Sequence, residues 1–139
     1  METRAAQIFK ALCIGMLLDL LVTLAVGMLL GLIFAIFFFI QGVPDAEVSS
    51  RIQQLALSPG WFAFSVVTGA SISVAAGFVA ANFLATNIYP WLGLMGALLA
   101  LIGFAGVGSD VSNGLAMGLS LVTLFSVMLG GHLWEWSQK

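Results

Sequence analysis

The chain has 139 residues, of which 61% are hydrophobic and only 7% charged, with a mean hydropathy of +1.14. A soluble domain carries about 25% charged residues, so this composition excludes a water-soluble monomer. Net charge is -2, and the basic residues Arg4, Lys10, Arg51 and Lys139 are too scattered to form a face that would neutralise phosphates, which argues against nucleic-acid binding.

The first apolar run extends from Ala11 to Ile40 and is broken only by Asp19. It is about twice as long as the core of a secretory signal and reads as a retained anchor. At 1.5 Å per residue it reaches roughly 45 Å, against ~30 Å of hydrocarbon, so it must tilt or protrude. Residues 41–60 form the one sizeable polar segment, an outer loop holding Pro44, Asp45, Glu47, Arg51 and Pro59. Within it Val48, Ile52 and Leu55 are spaced for one or two interfacial helical turns. A second span covers 61–86 and ends at Asn87. There Tyr89-Pro90-Trp91 predicts a tight turn, because proline disfavours helix in the residue before it. The third span, 91–107, is near the lower length limit. Gly106, Gly108, Ser109, Asp110, Ser112 and Asn113 then offer a second turn with candidate N-caps. The fourth span is 114–133.

These elements predict an all-α integral membrane protein, a four-transmembrane-helix bundle with short hairpin loops and one longer loop between the first two spans. The whole chain, 1–139, forms a single transmembrane domain in contact with the lipid bilayer. Trp61, Tyr89, Trp91, Trp134 and Trp136 all fall at span ends, where amphipathic rings suit the headgroup boundary. Placing both termini in the cytoplasm retains Arg4, Lys10 and Lys139 there and leaves Arg51 outside, as the positive-inside rule prefers. The expected location is a cell membrane, the bacterial inner membrane in particular.

Small residues recur every four positions in these spans. Gly15, Asp19, Thr23, Gly27 and Gly31 mark the first; Ser65, Gly69, Ser73, Gly77, Ala81 and Ala85 the second; Gly114, Gly118, Ser126 and Gly130 the fourth. Such ladders let helix backbones approach closely in lipid. They serve either packing within the chain or docking of a membrane-protein partner or a second copy. Expected helix-packing positions are Gly15, Gly27, Gly31, Gly69, Ser73, Gly77, Ala81, Gly114 and Gly118.

Asp19 is the most informative residue. A carboxylate at mid-membrane costs about 2.5–3.5 kcal/mol on insertion scales, and its short side chain cannot reach the surface. It should face the interior or a wet crevice, hydrogen-bonded or protonated. Asn82, Thr86 and His132 lie at similar depth and complete a candidate intramembrane polar site, in which Asn82 donates to the carboxylate and His132 relays protons. The competing reading makes Asp19 a register lock and His132 a headgroup-level residue. Glu135 follows His132 at i+3, as in a helix-end ion pair.

Cys13 stands alone, and neither metal-ligand spacing nor a catalytic constellation appears, so no cofactor or metal is expected and no enzymatic activity. An acidic residue in the first of four short helices resembles the small multidrug resistance exporters, whose first-helix carboxylate exchanges protons for cationic drugs. This chain departs from them in its long 41–60 loop, in the stretch Leu18-Asp19-Leu20 that replaces their Glu-containing motif, and in having no Trp inside the third span. No function is carried over. Two expectations result: an accessory, assembly or interaction subunit working through small-residue helix faces, or a proton-coupled small transporter or channel, oligomeric or not, using Asp19.

Overall fold

A computed structural model describes residues 3–56, 58–84, 87–106 and 112–139, and the chain is all-α. Among the described residues five helices follow in order: α1 (Arg4–Ile40), α2 (Asp45–Ala56), α3 (Pro59–Leu84), α4 (Ile88–Gly106) and α5 (Asn113–Ser137). Four of them, α1, α3, α4 and α5, are long and apolar enough to cross a membrane.

The helix boundaries follow from local chemistry. The Thr3 hydroxyl accepts from the Ala6 amide and starts α1 seven residues before the apolar run. Nothing between Arg4 and Lys10 opposes a helix, so α1 reaches 37 residues, about 55 Å. It ends in a Schellman closure. Gly42, at φ 74°, lets its own amide donate to Phe39 O and that of Val43 to Phe38 O, a backbone shape that costs glycine nothing.

Two expectations need correction. The 41–60 segment holds a 12-residue helix, α2, where one or two turns were expected. Val48, Ile52 and Leu55 are its half-buried stripe and every other position is exposed; the helix packs on α1 and α3. The turn between α3 and α4 falls at Asn87 and not at Tyr89-Pro90-Trp91. Asn87 takes a left-handed φ of 52°, a conformation asparagine tolerates. Pro90 sits in the first turn of α4, where its missing amide would have had no partner anyway. Likewise Pro59 opens α3, preceded by Ser58, whose carbonyl accepts from Phe62 N. Ser112 caps α5 by accepting from Leu115 N, and α5 continues past Leu133 to Ser137. Gly108, Ser109 and Asp110 lie outside the described residues.

Long helices consecutive in the chain alternate in direction. Phe34 with Trp61, Asp19 with Ser73, and Gly15 with Ala80 set α1 antiparallel to α3. Ala100 with Ser120, Gly96 with Leu124, and Leu92 with Gly131 do the same for α4 and α5. The pairs Gly77 with Val127 and Asn82 with Trp134 make α3 and α5 parallel. Helix α5 packs on α3 and α4, and α3 packs on α1, while the backbones of α1 and α5 do not approach closely among the described residues.

The main buried cluster lies toward one end, and Ala116, near the start of α5, is buried apart from it. Ala11, Ala76, Ala80, Ala81, Leu84, Ile88, Leu92, Met95, Leu99 and Val127 form the buried cluster. They belong to the first half of α1, the second half of α3, the first two thirds of α4 and the second half of α5. Glycines make this closeness possible. A Cβ on Gly77 would collide with Val127 O and lie 2.9 Å from Val127 C; one on Gly130 would collide with Val74 O and lie 2.7 Å from Phe78 N. A Cβ on Gly15 would lie 2.6 Å from Met95 Sδ and 2.9 Å from Ala80 Cβ. By contrast Gly27, Gly31, Gly69, Gly114 and Gly118 have nothing within 4 Å of that position. Their spacing suggested contact, but the helices spread toward the Ile40 end and leave open space beside them.

Candidate functional site

Asp19 sits where the packed half gives way to the spread half. It is 7% exposed, and its Oδ1 accepts from the Ser73 hydroxyl at 2.7 Å. The antiparallel register of α1 and α3 brings these two residues level. One turn deeper, Gly15 allows the fully buried Met95 to press against α1. On the other side a hollow of about 340 Å³ opens, lined among others by Asp19, Thr23, Gly69, Ser73, Gly103 and Thr123. The floor is therefore a carboxyl paired with a hydroxyl. Thr23 and Thr123 put two further hydroxyls on the walls, and Leu20, Leu24, Leu99 and Ile102 make the rest of them apolar.

A hard divalent ion takes six or more oxygen ligands. This hollow offers one carboxyl and three hydroxyls, a set better matched to a proton, water or a singly charged group.

The other residues of the expected polar site stand elsewhere. Asn82 is exposed and accepts from Trp134 Nε1 at 3.3 Å. Nine residues separate it from Ser73 on α3, roughly 13 Å along the axis, so it does not serve Asp19. His132 lies exposed at the same end of α5. Its Nδ1 is 3.2 Å from Tyr89 Oη, and that hydroxyl donates to Glu135 Oε2 at 2.7 Å. Because the single phenolic proton goes to Glu135, the contact to His132 is satisfied when Nδ1 carries hydrogen and donates to the phenol. Tyr89 thus bridges the His132 and Glu135 pair, tying the first turn of α4 to the last turns of α5. The His132 ring also lies 6.0 Å from that of Trp136. Thr86 lies outside the described residues.

Two partners escaped the sequence reading. Ser73 was not read as a partner of Asp19, although its depth in α3 is that of Asp19 once the two spans form an antiparallel pair. Tyr89 stood as an interfacial ring, although it occupies the same end of the molecule as His132. Of the expected packing positions, Gly15, Ser73, Gly77 and Ala81 are buried between helices, whereas Gly27, Gly31, Gly69, Gly114 and Gly118 face open space. The chain matches no model of a known protein family, no curated protein and no solved structure.

Proposed function

We propose that the chain is an integral membrane protein that crosses a cell membrane, the bacterial inner membrane in the simplest case, four times as a helical bundle, and that Asp19 is its working group, taking up protons or small cations in a transporter or channel. The observation that carries this reading is a nearly buried carboxyl forming the floor of a hollow among apolar helices. A carboxyl in that setting is costly unless it is used or fully satisfied, and one serine hydroxyl leaves much of its acceptor capacity to the hollow. Four spans put both ends of the chain on one side, and the basic residues favour the cytoplasm for that side. Proton or cation flux in liposomes containing the purified protein tests the role of Asp19. Wild-type flux and its loss in Asp19→Asn are expected; no wild-type flux, or flux unchanged by the substitution, rejects it.

A second reading, an accessory or assembly subunit that docks a membrane partner or a second copy through small-residue helix faces, rests on a separate observation. The outer half of α1 is exposed on the side away from its half-buried stripe of Val26, Leu30, Phe34 and Phe38, with Leu24 at 63% and Met28 at 68%, and Gly27 and Gly31 have open space beside them. Cross-linking from Gly31→Cys in native membranes should then trap a discrete product. Recovery of the protein only as a free monomer, uncross-linked, counts against this reading.

A further inference from the structure

The spread half of the molecule contains three hollows that meet at one residue. The Asp19 hollow is the first. A second, of about 140 Å³ between α1 and α3, is lined in part by Thr23, Ser65, Thr68 and Gly69. A third, of about 230 Å³ between α3 and α5, is lined in part by Ser65, Gly69 and Thr123. Gly69 borders all three, and nothing lies within 4 Å of where its Cβ would stand. Each volume exceeds severalfold the ~30 Å³ that one water occupies, and hydroxyls line each, as water needs.

Ser65, Gly69 and Ser73 lie one turn apart on one face of α3, and this face ends at the hydroxyl bonded to Asp19. Beyond Asp19 the way is shut, since Gly15, Ala76, Ala80 and Met95 are buried against one another. The wall residues of the Asp19 hollow lie level with the carboxyl, as Ser73, Leu99 and Thr123 do, or on the side of it that faces the Ile40 and Pro59 ends of α1 and α3, as Thr23, Leu24 and Gly69 do. We infer that the Ser65, Gly69 and Ser73 face of α3 walls a blind, water-filled half-channel, which brings water and water-borne protons to Asp19 from the end of the molecule where α2 lies, and stops there. The inference deepens the proposed role of Asp19 by giving its site a single side of access, with Gly69 as the junction a side chain would block.

Cysteine accessibility in liposomes tests it, in a Cys13→Ala background. Ser65→Cys, Gly69→Cys and Thr123→Cys line the path; Leu101→Cys and Phe125→Cys, 65% and 64% exposed on outer helix faces, report lipid. The thiolate is the reacting species and forms where water can solvate it, so the three path thiols should react with a charged, membrane-impermeant methanethiosulfonate about tenfold faster, or more, than the two controls. Adding Gly69→Leu should slow modification of Thr123→Cys by a similar factor. Path thiols no faster than the controls, or reactive only toward a membrane-permeant maleimide, would mean that lipid fills the hollows and would overturn the inference. Thiol reactivity does not require flux. Reactive path thiols beside a flux indifferent to Asp19→Asn would keep the half-channel and remove the carboxyl's role, and the converse result would do the opposite.

Discussion

Gly77→Ala is the smallest change that should loosen the packed half of this molecule. The added methyl would collide with Val127 O and stand 2.9 and 3.0 Å from Val127 C and Cα. All three are backbone atoms, so no side-chain rotation relieves the contact and α3 must move away from α5. Overpacking of this kind costs typically 1–3 kcal/mol, about. Gly130→Ala meets Val74 O and Phe78 N at the same crossing and should cost a similar amount. Once one methyl has parted the helices the second meets less resistance, so the double variant should cost clearly less than the sum, the signature of coupled neighbours. Unfolding in mixed micelles with rising SDS, followed by far-UV circular dichroism and tryptophan fluorescence, measures all three. Gly118→Ala is the control, since nothing lies within 4 Å of its Cβ position and the SDS-unfolded state keeps much of its helix, which cancels most of the propensity gain. It should be nearly neutral. If Gly77→Ala unfolds at the same SDS fraction as Gly118→Ala, or if the costs of Gly77→Ala and Gly130→Ala simply add, the close crossing of α3 and α5 is refuted.

Gly15→Ala should be destabilising for a different reason, because its methyl meets the flexible end of Met95 at 2.6 Å and Ala80 Cβ at 2.9 Å; Met95→Ala should recover part of the loss, and no recovery in the same SDS titration would count against Met95 as the neighbour. Ser73→Ala removes the donor to Asp19 and should cost about 1–3 kcal/mol, the penalty of a buried acceptor left without its partner, and much less in an Asp19→Ala background; equal costs in the two backgrounds would show the pair is not formed. Tyr89→Phe cuts both links from α4 to His132 and Glu135, so amide exchange in the first turns of α4 should quicken while that of Ala76 and Ala80 stays slow. Exchange unchanged at both places would mean that the bridge does not hold the end of α4.

Much of this was legible in the chain itself. The apolar runs marked four helices, since apolar stretches of that length with so few charges have few other solutions. Asp19 stood out as a lone carboxyl in a run of 30 apolar positions, and the stripe of Val48, Ile52 and Leu55 marked the side of α2 that is half-buried. The partners were not legible. Asn82 and His132 share a depth with Asp19 only when positions are counted from the membrane boundary. Which side chain meets the carboxyl depends on helix rotation and register, and these selected Ser73.

The sequence by itself determined that the chain is all-α, which helices are long and apolar enough to span a bilayer, and that one acidic group lies deep within the first. Those outcomes depend on sums along the chain, hydropathy over a window and the spacing of breakers, which no tertiary contact needs to supply. Only the tertiary structure decided what the four-residue ladders do. Gly77 and Ala81 lie in the packed half, while Ser65 and Gly69 on the same face border open hollows. Identical spacing has two outcomes because α3 lies close against α1 and α5 at one end and leaves hollows beside them at the other, and Asp19 stands at the level where that separation begins.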